Sequence, residues 1–269
     1  MAEAIFEIMR FNPEKDKKPY MQEYKVPLKT GLTVLDGLTY IKEHHDPSLV
    51  WRSSCRMGVC GSCAMFINGY PRLACNTQVA NISTERINVK PLPNFGIIRD
   101  LVPDLADFFE KHRKVKPYLI RHDAEIDLPT GEFFQSVEEY VRYIQFAYCI
   151  KCGICYAACP TAATDDKYLG PQALAASERY MSDTRDDGFK ERLEEVFGKK
   201  GVYRCHFAGA CSEACPKGVD PALGIQLLKR EMVGKQLGIV KDKVPAKVLP
   251  ILRDVEPDPN IPAPPARTV

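Results

Sequence analysis

Cysteine placement constrains this chain more than any other feature. Eleven of its 269 residues are cysteine. They stand as Cys55, Cys60, Cys63 and Cys75, then Cys149, Cys152, Cys155 and Cys159, then Cys205, Cys211 and Cys215. An odd count would leave one thiol stranded in a fully paired disulfide framework. The short repeated spacings are those of metal sites, which places the chain in a reducing compartment. The remaining composition is ordinary for a globular protein, with 45% hydrophobic and 27% charged residues. A net charge of +2 gives no broad electrostatic footprint for nucleic acid, so none is expected as a partner. No apolar run reaches the roughly eighteen residues needed to cross a bilayer. The opening Met1-Ala2-Glu3-Ala4 lacks the basic start and apolar run of a signal peptide, which favours a prokaryotic chain or an already processed one.

Element patterns divide the chain. Ala4 to Asn12 and Met21 to Leu28 read as strands joined by a polar, Lys-rich turn. Thr33 to His44 reads as a helix with Thr33 as its N-cap. A Gly/Cys loop follows, then a hairpin around Asn68-Gly69-Tyr70-Pro71 and a closing strand at Ile87 to Val89. Strands wrapped on one helix beside a metal loop suggest a β-grasp ferredoxin domain over residues 1–104. Beyond Pro91 to Pro103 the patterns are helical: Leu105 to Lys114, Val137 to Tyr148, Gly170 to Asp183, Asp187 to Lys199 and Pro221 to Leu237. The expected fold class is therefore α+β, with the N-terminal β-grasp domain followed by an all-α domain over 105–237. Residues 238–269 form a Pro-rich tail, expected to run extended along a neighbour or to end disordered.

The first four cysteines stand as C-x4-C-x2-C-x11-C. A C-x4-C-x2-C run with a later fourth cysteine is the plant-type spacing for a [2Fe–2S] cluster. Gly58 and Gly61 lie where the loop must bend tightly and approach inorganic sulfide. Four thiolates also suit tetrahedral zinc, but zinc sites usually pair two C-x2-C knuckles, and this loop does not.

Cys149, Cys152, Cys155 and Cys159-Pro160 form C-x2-C-x2-C-x3-C-P, the bacterial ferredoxin run, whose fourth cysteine ligates the other cluster in two-cluster proteins. Cys205, Ala208, Cys211 and Cys215-Pro216 repeat that frame with one ligand replaced, as an internal duplication would. Exchanging the distal cysteines assigns Cys149, Cys152, Cys155 and Cys215 to a [4Fe–4S] cluster. Cys159, Cys205 and Cys211 remain for the other site. With Ala208 at its open corner, that site holds a [3Fe–4S] cluster. The three sets use every cysteine in the chain. The competing account of Ala208 is a lost cube in a decaying duplicate.

Three such motifs in this order, with an alanine in the third, resemble the iron–sulfur subunit of succinate dehydrogenase and quinol:fumarate reductase. The likeness covers about residues 1 to 237 and includes WRSSCRMGVCGSCAMFING, CIKCGICYAACP, YLGPQALAASERYMSDTRD and CSEACPKGVDP. The resemblance implies a respiratory complex in which a separate flavoprotein subunit carries FAD and interconverts succinate and fumarate. Single electrons then pass through the three clusters to a quinone, held between this chain and integral-membrane anchor subunits. This chain would lie on the cytoplasmic face of a prokaryotic membrane, or on the matrix face if it is a processed eukaryotic chain. It offers no catalytic residue, and no G-x-G-x-x-G opens a helix after a strand to bind flavin.

The resemblance also places His206, Lys229 and Pro160 close to the quinone. There His206 and Lys229 would hydrogen-bond a quinone oxygen, or alternatively only cluster sulfides and backbone carbonyls. Ubiquinone-linked members carry a tryptophan where Thr164 stands. CYAACP and CSEACPKGVDP are more like menaquinone-linked fumarate reductases, so both the quinone and the direction stay open beside the leading reading of succinate oxidation. Two other readings compete: a partner in a glycolate- or glycerol-oxidising complex, which usually lacks the first cluster, and a zinc-stabilised scaffold with no redox role.

Overall fold

The computed structural model describes residues 2–82, 85–123, 125–239, 243 and 245–250. The first strand, β1 (Glu3–Arg10), alternates outward residues with Ala4, Phe6, Ile8 and Arg10, which turn into the core. It pairs antiparallel with β2 (Tyr20–Pro27). The helix α1 (Val34–His44) begins at Thr33, which forms a reciprocal capping box with Asp36. Thr33 Oγ1 accepts from the Asp36 N–H at 3.1 Å, and the Asp36 carboxylate accepts from the Thr33 N–H at 3.0 Å. The buried face of this helix is Val34, Leu35, Leu38 and Ile41.

The hairpin is β3 (Ala64–Ile67) and β4 (Tyr70–Leu73), turned by Asn68 and Gly69 alone. Both turn residues have positive φ, 45° and 83°, as a two-residue turn matched to strand twist demands. With β5 (Arg86–Lys90) running parallel to β1, the sheet order becomes β2-β1-β5-β3-β4, packed on one face by α1. This is the expected wrap of strands around a helix. The sequence patterns did not give the further ribbon of β6 (Ile97–Arg99) and β7 (Val102–Pro103). Its neighbour Asp100 is fully enclosed, accepting from Arg10 Nε at 3.1 Å and from the Phe11 and Val50 N–H groups.

The helical part comprises α2 (Ala106–Lys114), α3 (Val137–Ala147), α4 (Ile154–Ala157), α5 (Pro160–Thr164), α6 (Pro171–Met181), α7 (Phe189–Phe197), α8 (Ala210–Glu213) and α9 (Pro221–Gln236). Each helix expected from the sequence is present, with ends shifted by a few residues. The expectation of an all-α domain needs one amendment: β8 (Gly131–Phe133) pairs antiparallel with β9 (Val248–Pro250). The same ladder changes the picture of the tail, because residues 248–250 are an ordered strand and not a free arm. Of the expected tail, residues 240–242, 244 and 251–269 lie outside the described residues.

Helix α6 is the hub. Ala173, Leu174, Ala175, Ser177, Glu178 and Met181 are all buried, and α2, α3, α7 and α9 pack against it. Below it Arg192, with no exposed surface, is paired with buried Asp186 and donates to the carbonyls of Val115, Lys116, Tyr118 and Gly188. A guanidinium so enclosed needs every N–H satisfied, and seven hydrogen bonds to six acceptor atoms supply that.

The two parts share an apolar seam. Ile154 and Ala157 of α4 belong to the same core cluster as the β-sheet. Asn94, itself at φ 67°, sends its Nδ2 to the carbonyls of Tyr156, Ala157 and Cys159 at 3.0–3.3 Å, and so caps the end of α4 from the other side of the seam.

Candidate metal centres

The loop from Ser53 to Cys63 has no regular secondary structure, and its backbone amides turn inward on sulfur. The Gly58 N–H donates to Cys75 Sγ at 3.2 Å, and the Cys60 N–H to Cys55 Sγ at 3.2 Å. The Val59, Met57 and Cys55 amides also lie within 3.3–3.4 Å of a cysteine sulfur, as does Cys75 N–H to Cys63 Sγ at 3.5 Å. Arg56 and Gly58 have φ of 57° and 72°, the left-handed bends that aim consecutive amides to one side. Cys63 and Cys75 are buried on the sheet side, while Cys55 and Cys60 lie nearer the surface. Burial pushes the Cys63 thiol up to about 12, whereas the Ser62 hydroxyl and neighbouring amides pull Cys60 down to about 6. The structure thus brings the three cysteines of this loop and Cys75 together. Met57 and Val59, 73% and 51% exposed, stand on its outer rim.

The two later motifs have matching backbones. Lys151 and Gly153 in the first, Phe207 and Gly209 in the second, occupy equivalent places, and all four have positive φ between 54° and 81°. Each pair leads into a four-residue helix, α4 or α8, at the same offset. The duplication read from cysteine spacing is therefore a duplication of local fold. Helices α4 and α8 pack on each other, with Cys155 and Cys211 meeting beside Ala222.

That pairing crosses the motifs over. One cavity is lined by Cys149, Cys152, Cys155 and Cys215. A second is lined by Cys159, Cys205 and Cys211, with Ala208, Pro160 and His206 on its wall. Burial and mutual charge raise the thiols of the first set: Cys149 and Cys155 lie above the ordinary thiol range, and Cys152 is pushed up to about 12. Burial likewise takes Cys211 to about 11. So many buried thiols are costly to ionise by themselves, and a thiolate-bound cationic centre is what offsets that cost. No three His, Cys, Asp or Glu side chains among the described residues stand as a site for one ion. The thiols of the two later sets line cavities, a donor set that fits polynuclear iron–sulfur groups.

Two of the three positions assigned to the quinone line the second cavity. Pro160 and His206 are exposed there, next to Phe207, which is 59% exposed. Lys229 on α9 is half-buried and donates to the Cys205 carbonyl at 3.2 Å. Thr164, exposed at the end of α5, turns its hydroxyl back on the Pro160 and Thr161 carbonyls.

Two polar residues escaped the sequence reading. Tyr168 lies on the wall of the second cavity with no exposed surface, and its hydroxyl makes no hydrogen bond of normal geometry. Burial, then the charges of Cys205, Cys159 and Cys211, hold its pKa far above the ordinary phenol value. Gln172 lines the first cavity, where its Nε2 meets His112 Nδ1 at 3.1 Å and its Oε1 is unpaired. Neither sits in a cysteine motif, and a tyrosine or glutamine beside Leu169 and Ala173 carries no spacing signal. Only the folded chain shows which buried polar atoms lack partners.

Comparison with known proteins agrees with this geometry. The 2Fe-2S iron-sulfur cluster binding domain matches residues 5–110, and the 4Fe-4S dicluster domain matches residues 145–219. The chain is 47% identical over 229 residues to the fumarate reductase iron-sulfur subunit of Mycobacterium tuberculosis, covering 85% of this chain and 92% of that one. It is 44% identical over 231 residues to the fumarate reductase iron-sulfur subunit of Escherichia coli O6:H1, covering 86% and 93%. To the succinate dehydrogenase iron-sulfur subunit of Coxiella burnetii it is 42% identical, covering 85% and 96%. A chain of the Mycobacterium smegmatis Sdh1 complex in the apo form superposes with a TM-score of 0.74 at 28% identity, covering 87% of this chain and 96% of that one.

Proposed function

Since the chain belongs to the family of iron–sulfur subunits of succinate dehydrogenase and fumarate reductase, and is an electron-transfer subunit of a succinate:quinone oxidoreductase, we propose that its eleven cysteines divide into three ligand sets. Cys55, Cys60, Cys63 and Cys75 would hold a [2Fe–2S] cluster. Cys149, Cys152, Cys155 and Cys215 would hold a [4Fe–4S] cluster, and Cys159, Cys205 and Cys211 a [3Fe–4S] cluster. The observation that carries this division is the exchange of distal cysteines. Cys215 lies with the first motif's triplet, and Cys159 with Cys205 and Cys211.

Each bound cluster takes up and returns one electron, which lets a two-electron flavin communicate with a distant quinone. The chain's own residues set the conditions. Amides of Gly58, Val59 and Cys60 donate to cysteine sulfur and offset negative charge in the outermost loop. Cys155, Ala175 and Val219, buried on the wall of the middle site, exclude water there. Its low dielectric penalises added charge there more than at the exposed first loop. The seam through Asn94 and Gly61 holds the first loop against the first helical motif, so spacing between sites is fixed by packing.

At the far end we assign Pro160, His206 and Lys229 to the quinone side. The exposure of Pro160 and His206 beside the second cavity, on a face that also presents Phe207, and the bond from half-buried Lys229 to the Cys205 carbonyl support this. Lys229 spends one N–H on the Cys205 carbonyl, and an ammonium carries three. It is therefore anchored with donors to spare for a quinone oxygen. No helix among the described residues is long and apolar enough to cross a membrane. The quinone would therefore be met at a surface shared with membrane-anchor subunits, and FAD would reside on a flavoprotein partner.

The leading reading is succinate oxidation. The reverse reaction, quinol-driven fumarate reduction, is favoured by the names of the Mycobacterium tuberculosis and Escherichia coli relatives and by Thr164 in place of tryptophan. Comparing succinate oxidation with quinol-driven fumarate reduction in the purified complex, using ubiquinone and menaquinone analogues, separates the two.

The ligand sets are tested by Ala208→Cys in that complex. A fourth thiolate at the open corner should convert the three-iron centre to a cube and abolish its EPR signal in the oxidised state. Persistence of an unchanged oxidised signal would remove the assignment of Ala208.

A further inference from the structure

We propose that Tyr168 is a positioning residue that donates a hydrogen bond from its hydroxyl to a sulfur of the group held by Cys159, Cys205 and Cys211, and thereby raises that centre's reduction potential. The inference rests on the reading that these three cysteines hold an iron–sulfur cluster.

The argument starts from an unpaired atom. Tyr168 has no exposed surface, and its enclosed phenolic oxygen makes no hydrogen bond of normal geometry, its one side-chain interaction being a weak one toward Cys205. Buried polar atoms in folded proteins are almost always paired, and one left unpaired bears its full desolvation cost. The residue is also held in place. Its own N–H donates to the Asp165 carbonyl at 3.2 Å, the next amide, Leu169 N–H, donates to the Lys200 carbonyl at 3.0 Å, and Gly170-Pro171 then begins α6. The ring cannot readily turn its oxygen elsewhere, because the aromatic body packs in the apolar cluster with Leu169, Leu174 and Ile225.

What the ring faces is sulfur. Tyr168 shares one cavity wall with Cys159, Cys205 and Cys211. A phenol keeps its proton at neutral pH and is an O–H donor, while thiolates and inorganic sulfides are acceptors only. The match is one-way: the enclosed donor is complementary to what the three cysteines would hold. A donor to sulfur stabilises the reduced state more than the oxidised one, because reduction adds negative charge to the sulfurs. Hydrogen bonding to sulfur is among the factors that set such potentials. Tyr168 would therefore make the terminal centre easier to reduce, drawing electrons toward the quinone side.

The test uses the intact complex with its flavoprotein and membrane partners. Tyr168→Phe keeps the ring and deletes only the oxygen. In a redox titration followed by the oxidised three-iron EPR signal, the reduction equilibrium should weaken about tenfold, a fall of about 59 mV for a one-electron couple. Placing 3-fluorotyrosine at 168 gives a more acidic, stronger donor of nearly the same shape. It should move the potential the other way, and it serves if the phenylalanine variant does not assemble. An intact signal whose potential is the same in the wild type and in either variant overturns the role of Tyr168 and leaves the cluster assignment standing. Absence of any three-iron signal in the unaltered complex overturns the assignment itself.

Discussion

Gly61 is where the first metal loop touches the first helical motif, and Gly61→Ala should separate them. Its φ is 77°, a conformation in which an L-alanine costs about 1–2 kcal/mol. A Cβ built there would lie 2.7 Å from Cys152 Cβ, 3.0 Å from Cys152 Cα and 3.3 Å from the Ile150 carbonyl oxygen. None of these is the tip of a flexible side chain that could swing aside. Forcing a methyl into such a contact costs a further 1–3 kcal/mol or so. The control is Gly69→Ala at the hairpin tip, with φ 83° and nothing within 4 Å of the added Cβ. It bears only the backbone cost, so the difference between the two variants isolates the seam.

Both variants would be melted in the intact complex at one scan rate, following the visible absorbance of the bound clusters, since loss of the clusters makes unfolding irreversible. At about 2–4 °C per kcal/mol for a chain of this size, Gly61→Ala should melt several degrees below Gly69→Ala. It should also broaden the EPR signals of the centres on both sides of the contact. Equal melting of the two variants, with unaltered signals, would refute the claim that this contact fixes the spacing.

Three further outcomes follow from packing and charge. Arg192→Met strands the buried Asp186 carboxylate and should cost about 3–5 kcal/mol, read from the denaturant midpoint; adding Asp186→Asn should return part of the loss because an amide is cheaper to bury. Glu178, whose pKa burial raises to about 7, binds its proton more tightly folded than unfolded, so stability should fall as pH rises from about 4.5 to 7. Across that window the loss is on the order of 3 kcal/mol, and Glu178→Gln should flatten the pH dependence of melting. Asn94→Ala leaves the Tyr156, Ala157 and Cys159 carbonyls without their shared donor. It should cost about 1–3 kcal/mol, seen as faster amide exchange at Ala157 and Ala158 with no change in the β-sheet.

The legible parts of this chain are those governed by local rules. A thiolate must come from cysteine, so three ligand sets can be counted from spacing before any fold is known. Thr33 and Asp36 announce α1 because the capping box is a contact between residues three apart, and Asn68-Gly69 announces its hairpin because few other pairs accept both positive φ values. The β8–β9 ladder was invisible for the opposite reason. Gly131–Phe133 and Val248–Pro250 are three-residue strands far apart in the chain, and neither has a period long enough to see. Tyr168 and Gln172 were missed because their significance lies in what is absent around them.

The same contrast explains why the cysteine count could run ahead of the fold. Ligand identity is carried by single residues, whereas the distance between sites is carried by a seam. Gly61 contributes only its lack of a side chain, Asn94 an amide reaching three carbonyls, and Ile154 and Ala157 their place in the sheet's core. An electron relay depends on both, since a correctly ligated centre held at the wrong distance cannot pass its electron on. Substitutions along this seam should therefore damage electron transfer while leaving every cysteine in place.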